Sequence, residues 1–386
     1  MPSIKDTFDH LNSIDWNFPR TGTLAKSVHT FHWFPGNFIP QIPAHLIQIL
    51  SKPGDLVLDP FMGSGTTVLE ATRLGRRALG SDVLTSCCFV ASGKLQGLLS
   101  GLSASHKQTI LQSMAWPDLC ESESAGKNEE GTNLELSRWY TPRTLMRLRY
   151  IWQLIEGFPG HVRPVLEMIF SDVLFSSAST RASKTRTGKI RRHHWGWVAD
   201  NVRPQNLFDV DVVSAFISRV IAFPEESTVR QASNAGAQVI QQDARSLSQA
   251  SESVDLIVTS PPYVGVIDYA RANRLLYLWK NWDMNAERTF EIGARYKRAR
   301  RLIVEDYLKE MDACWSEAER VLKQGAFIAV VIGESKKFPG TVKKTIGNLE
   351  TRCQLIWGPT PRTPVRRRVS DAAGLDPVEF LAVFRK

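Results

Sequence analysis

The chain has 386 residues, 43% of them hydrophobic, enough to bury the core of one large α/β domain with an insertion or of two modest domains. Its 48 Lys and Arg outnumber 39 Asp and Glu, and the formal charge of +9 favours a polyanionic partner. Five cysteines, at 87, 88, 120, 314 and 353, show no Cys-x-x-Cys spacing, so neither a disulfide framework nor a metal site is indicated. No run approaches the roughly 18 apolar residues of a membrane span and no secretion signal opens the chain, which leads us to expect a soluble, cytoplasmic protein without a membrane role.

Residues 1–28 are polar with scattered aromatics and read as an arm or cap. The run Phe31-His32-Trp33-Phe34-Pro35-Gly36 is loop-like, and Ala44 to Leu50 has the spacing of a short amphipathic helix. Leu56-Val57-Leu58-Asp59 reads as a buried strand, followed by a glycine loop and a helix from Thr67 to Leu74 that Gly75 stops. Arg77 to Asp82 supplies a second strand ending on a carboxylate.

The α/β pattern then pauses until about residue 235. Asp118 to Gly131 is acidic and rich in Ser and Gly, an exposed loop by composition, whereas residues 141–175 carry Leu145, Leu148, Ile151, Trp152 and Ile155 on one helical face. Strands resume at Gln238–Asp243, Asp255–Thr259 and Gly325–Gly333, with a helix from Asp306 to Val321, and two more strands follow at Gln354–Trp357 and Glu379–Phe384. Seven strands joined mostly by helices predict a Rossmann-like, mostly parallel, doubly wound sheet with a helical insertion. The expected division is an arm (1–28), the first part of the sheet domain (29–83), the insertion (84–235) and the second part (236–386).

A glycine loop between the first strand and its helix lies at the carboxyl edge of such a sheet, where these folds bind ligands. In Asp59-Pro60-Phe61-Met62-Gly63-Ser64-Gly65-Thr66-Thr67, Gly63 and Gly65 let backbone approach a ligand, Phe61 offers an apolar wall and Asp59 can accept from an ammonium group. Thr66 stands where a Walker loop has Lys, so this is no phosphate loop of that kind. Asp82 and Asp243, at the next two strand tips, are placed to hold ribose hydroxyls and an adenine amino group. Three carboxylates at successive tips suit a ligand with an amino-acid end, a ribose and an adenine.

Ser260-Pro261-Pro262-Tyr263 follows an apolar strand, and two prolines in succession end the ladder in a stiff loop at the same edge. An exocyclic base amine is a weak nucleophile because its lone pair is delocalised into the ring, so its methylation needs positioning and acceptors for the amine hydrogens rather than a strong base. The Ser260 hydroxyl and a proline carbonyl can be those acceptors, and Tyr263 can stack on a base flipped out of a duplex.

Together the two strings resemble the DNA amino-methyltransferases that modify cytosine at N4 or adenine at N6. The resemblance implies a class I methyltransferase fold using S-adenosylmethionine (SAM). It implies that Asp59, Phe61, Gly63, Gly65, Thr66, Asp82 and Asp243 bind that cofactor and that Ser260, Pro261, Pro262 and Tyr263 hold the target amine. The segment Asn37-Phe38-Ile39-Pro40 is similar to the family's extra cofactor-contacting stretch, which adds Phe38 and Pro40. Ser-Pro-Pro-Tyr is most similar to the cytosine-N4 branch. The alternatives are an adenine-N6 enzyme, an RNA base methyltransferase and a nucleic-acid-binding subunit without turnover.

Duplex DNA with base flipping is the expected partner, and a cognate restriction endonuclease acting separately is a further one. For reading DNA the sequence offers Ser179 to His194, where Arg181, Lys184, Arg186, Lys189, Arg191 and Arg192 occur with no acidic residue. Two further basic clusters, Arg295 to Arg301 and Arg362 with Arg366, Arg367 and Arg368, read equally well as cleft lining or as charged surface.

Overall fold

The computed structural model describes residues 4–18, 27–114, 134–178, 198–199, 203–204, 206–225, 236–363 and 379–386, and the backbone of 183–184 and 190–191. The strands of its main sheet are β1 (Leu56–Asp59), β2 (Arg77–Asp82), β3 (Ala237–Gln241), β4 (Val254–Thr259), β5 (Leu322–Gly333), β6 (Gln354–Arg362) and β7 (Glu379–Arg385). They lie in the order β3-β2-β1-β4-β5-β7-β6. Every neighbouring pair from β3 to β5 is parallel, and β7 runs antiparallel to both β5 and β6. The chain winds outward from β1 in one direction and from β4 in the other, so the crevice between their carboxyl ends is the topological switch point where such sheets take ligands.

Each sheet face has its own core. On one side α1 (Ile4–Asn12), α2 (Gln41–Leu50) and α3 (Thr66–Arg73) cover the sheet, with Leu11, Trp16, Ile42, Leu46, Val68 and Leu69 packed against Val57, Leu256 and Val331. The polar opening segment is thus a packed cap: Trp16 is buried and lies 5.7 Å from the Trp357 ring. On the other side the long helix Ile303–Val321 and the helix Thr341–Glu350 bury Tyr307, Trp315 and Ile346 against Leu58, Ile257 and Ile328. Burying both faces is what makes these strands near-continuous apolar runs.

The helix α4 (Thr85–Ser100) follows β2 directly, in the stretch where the sequence shows no α/β regularity. It is apolar nearly all round because it is buried on two sides: Ala91 and Leu95 join the sheet-side core, and Cys87 and Val90 join that of the insertion. Beyond it, α5 (Ala104–Ser113), α6 (Pro142–Glu156), α7 (Arg163–Ser176) and α8 (Val212–Ala222) surround a third core that contains Leu148, Ile151, Phe170 and Phe216. The helical run expected over 141–175 is two helices, parted at Gly157-Phe158-Pro159-Gly160. Of its five face residues, Leu145, Leu148, Ile151 and Ile155 are buried and Trp152 is half-buried.

Candidate active site

The strand order converts separated sequence motifs into a row. Asp243, Asp82, Asp59 and Ser260 come at or just past the ends of β3, β2, β1 and β4, which are consecutive neighbours, so the row spans three strand spacings, ~14 Å. A cleft of about 870 Å³ opens along it. Phe38, Asp59, Phe61, Gly63, Thr66, Asp82, Asp243, Ser260 and Pro262 line this cleft among the expected residues. Pro40, Gly65, Pro261 and Tyr263 are not on its wall. Pro40 is the N-cap of α2, and Gly65 is the N-cap of α3, with φ +86° and room for a Cβ only 3.0 Å from that of Ala91.

The carboxylates hold the loops before they hold any ligand. Asp59 accepts from the Phe61 amide at 3.1 Å and from the Thr259 hydroxyl at 2.6 Å, and Asp82 accepts from the Gly63 and Leu84 amides, each at 3.0 Å. Burial pushes the Asp59 carboxyl up to about 6, with Asp82 adding repulsion, and pushes Asp82 up to about 6 as well. At Asp243 burial acts in the same direction, but the fork of Arg245, with Nε 2.9 Å from one oxygen and Nη2 2.6 Å from the other, outweighs it and holds the carboxyl below its ordinary value.

Several wall residues carry no signal in the sequence. Glu291, buried on the loop that also brings Phe290 and Ile292, accepts from the Tyr269 amide at 2.7 Å, and burial followed by repulsion from Asp268 raises it to about 8. Phe34 and Tyr269 face the cleft with ring centroids 5.9 Å apart. The loop residue Ser64 donates to Asn37 at 2.9 Å, which ties the glycine loop to the segment ahead of α2.

Four acidic side chains and no Lys, Arg or His stand among the described lining residues; with Asp243 paired to Arg245 and Glu291 raised to about 8, Asp59 and Asp82 are the carboxylates left to favour a cationic ligand. SAM fits on that ground, since its sulfonium and ammonium outnumber its one carboxylate. Asp59 would take its amino-acid end, Asp82 its ribose and Asp243 its adenine, with Phe38 and Phe61 as apolar walls.

The Ser-Pro-Pro-Tyr loop is held from beneath. The Ser260 hydroxyl donates to the Val331 carbonyl of β5 at 3.0 Å, and the buried Tyr307 donates to the Pro262 carbonyl at 3.0 Å. The Tyr263 ring lies against Gly333, where a Cβ would come within 2.2 Å of it, and its hydroxyl donates to Glu379 at 3.2 Å. Tyr263 is therefore off the cleft wall, whose aromatic rings are those of Phe34, Phe38, Phe61, Tyr269 and Phe290.

Of the basic clusters, Arg362 is buried and ion-paired with Glu379, which removes it from any surface reading. The loop 293–301 instead adjoins the Ser-Pro-Pro-Tyr loop: Gly265 donates to the Gly293 carbonyl at 2.7 Å and Arg295 donates to that of Ile267 at 3.2 Å. Its Arg300 and Arg301 are exposed, beside Lys337, whose ammonium meets the Arg298 carbonyl at 3.2 Å. The side chains of Arg181, Lys184, Arg186, Lys189, Arg191 and Arg192, like Arg366, Arg367 and Arg368, lie outside the described residues. The backbone of Ser183–Lys184 pairs antiparallel with Ile190–Arg191. No described helix is long and apolar enough to cross a membrane.

The type II methyltransferase M.MjaII of Methanocaldococcus jannaschii is 23% identical across 81% of this chain and 73% of its own. For the type II methyltransferase M.MvaI of Kocuria varians the identity is 24%, across 82% of this chain and 70% of that one. Among solved structures, a SAM-dependent methyltransferase of Methanosarcina mazei aligns with 92% of this chain and 98% of its own at 11% identity and a TM-score of 0.32, too loose a superposition to assign anything. A family model described as DNA methylase, for N6 and N4 methyltransferases, matches residues 4–91 and 254–378, which hold the glycine loop and the Ser-Pro-Pro-Tyr loop, and the chain belongs to that DNA methylase family.

Proposed function

We propose that this DNA methylase modifies the exocyclic N4 of cytosine, with the base turned out of the duplex into the cleft beside Ser260. The observation that carries the reading is the direction of one hydrogen bond. The Ser260 hydroxyl has one hydrogen, it is directed to the Val331 carbonyl, and the oxygen is left with lone pairs only. An oxygen in that state accepts from an amine and cannot compete with it as a donor. The cytosine branch rests on the resemblance of Ser-Pro-Pro-Tyr to the N4 enzymes.

S-adenosylmethionine is the methyl donor, and when bound it supplies an electrophilic methyl group on sulfur. The chain's own residues then have three tasks. Ser260 and a proline carbonyl of the loop draw the amine hydrogens into hydrogen bonds, which turns the nitrogen lone pair out of conjugation and offsets the positive charge that grows there. Pro261 and Pro262, fixed by Tyr307, hold those acceptors still. Phe34 and Tyr269 offer apolar faces to a base, and such stacking contributes on the order of 1 to 3 kcal/mol.

Duplex phosphates flanking a flipped nucleotide would meet Arg300, Arg301 and Lys337 on the loops beside the cleft, and the basic stretch 181–192 from the insertion. A methyl group on N4 projects into the major groove, where it would shield a site from a separately acting restriction endonuclease.

Mass spectrometry of nucleosides from DNA treated with the protein and SAM tests the reading: N4-methylcytosine is expected, N6-methyladenine would move the chain to the other branch, and neither product would overturn amine methylation. Ser260→Ala should bind SAM as before while kcat falls by about 10²-fold, the scale of removing one well-placed polar group from a reacting centre.

A further inference from the structure

The edge of the sheet beyond the switch point carries a second row of polar groups. Glu379 of β7 is the cross-strand partner of both Gly333 of β5 and Arg362 of β6, so the three lie in a row at the rim that continues from Ser260. Glu379 and Arg362 form an ion pair in which the Arg362 side chain is 2% exposed, and Arg362 Nε also donates to the Trp16 carbonyl at 3.2 Å. Tyr263 reaches into this row: its ring seats on Gly333, its hydroxyl donates to the other oxygen of Glu379 at 3.2 Å, and the same hydroxyl is 3.4 Å from Ser260 Oγ.

Counting hydrogens along this chain gives it a direction. A tyrosine hydroxyl has one hydrogen, and a carboxylate only accepts, so Glu379 draws that hydrogen away from Ser260. Arg362 has no acceptor, so it can only donate: its Nη1 meets Glu379 and its Nε meets the Trp16 carbonyl, which holds the carboxylate in place. With the Tyr263 hydrogen committed to Glu379 and the Ser260 hydrogen committed to Val331, the lone pairs of Ser260 remain open toward the cleft.

Resting on the reading of Ser260 as the amine acceptor, we propose that Glu379, braced by Arg362, is a positioning residue that orients the Tyr263 hydroxyl so that Ser260 is kept free to accept. Tyr263 then acts through its hydroxyl, its ring being seated on Gly333. Replacing Glu379 with Gln puts an amide in its place whose NH2 can donate to Tyr263. The Tyr263 hydrogen turns toward Ser260 Oγ and occupies the lone pair the amine needs.

The test is a double-mutant cycle read as single-turnover kcat, KM for DNA and SAM affinity, in Glu379→Gln, Tyr263→Phe and the double variant. Glu379→Gln should keep the SAM affinity and lower kcat by about ten-fold, the scale of one misdirected hydrogen bond. In the Tyr263→Phe background, which has no hydroxyl to misdirect, the same change should have no further effect. Because Glu379→Gln leaves Arg362 buried without its counter-charge, the neutral pair Arg362→Gln/Glu379→Gln is measured beside it and should show the same dependence on Tyr263. An unchanged kcat in Glu379→Gln, or an equal loss with and without the Tyr263 hydroxyl, overturns the proposal. A wild-type protein that methylates no amine in DNA overturns the reading of the site, and this proposal with it, whereas an active wild type with additive losses overturns the proposal alone.

Discussion

Asp59 is buried and Asp82 half-buried at adjacent strand tips, and no cation stands beside them among the described residues of the cleft wall. Burial raises each from an ordinary value of 3.8 to about 6. Between those values these two groups hold protons in the folded protein that the unfolded chain has released, so without SAM their contribution to stability falls as pH rises from about 4 to 6 and is constant above that. Cationic SAM favours the ionised carboxylates, so the rise in Tm that SAM produces should be larger at pH about 7.5 than at pH about 5. Thermal melts with and without SAM at both pH values check this, and equal shifts would remove the two carboxylates from the cofactor site. These residues were legible in the sequence because each ends an apolar run and so announces a strand tip. Glu291 was not, since its loop has no periodicity and only the tertiary fold brings it near Asp82. The side of the loop to which Tyr263 turns was equally hidden, because it depends on Gly333 and Glu379, 70 and 116 residues away in the chain.

Seven strands could be read in order because both faces of the sheet are covered and each strand is a short apolar block between polar turns. The helix α4 escaped the same reading for a related reason: buried between the sheet and the insertion, it has no polar face to set a period. Its two interior glycines look like breakers, yet they are where neighbours press closest. A Cβ on Gly93 would lie 2.4 Å from the Met168 Cβ and 2.7 Å from the Pro164 carbonyl, and one on Gly97 would lie 2.5 Å from the Phe223 ring. Gly93→Ala should therefore destabilise the fold by about 1 to 3 kcal/mol by overpacking, despite the better helix propensity of Ala. Urea unfolding measures it, and a stabilised variant would show that α7 can yield. The N-terminal segment hid its helix for the opposite reason, since it is short and shows the core only a few apolar side chains such as Leu11.

At the scale of the whole molecule, the insertion is not a separate body: its helices close a core that also takes Phe31, Phe34, Ala270, Leu275 and Tyr277 from the sheet domain. Arg300, Arg301 and Lys337 lie on loops next to the Ser-Pro-Pro-Tyr loop. Neutralising Arg300 and Arg301 together should weaken binding to target and non-target duplexes alike and reduce the slope of log K against log salt by about 1 to 2, as expected for two lost phosphate contacts. An unchanged slope in a salt titration would place the DNA elsewhere. Composition alone favoured a polyanionic partner; that the cluster 295–301 adjoins the Ser-Pro-Pro-Tyr loop followed only from the loop pairings at Gly265 and Ile267. Thr259 donates to Asp59, the residue before the amine-holding loop gripping the residue before the cofactor loop. On the proposed reading, the span between methyl donor and methyl acceptor would be inherited from the fixed pitch of two neighbouring strands, ~4.8 Å, rather than searched for by moving parts. The sheet would then act as the ruler of the reaction, so changes that loosen the lateral spacing of β1 and β4 would act on rate before they act on affinity.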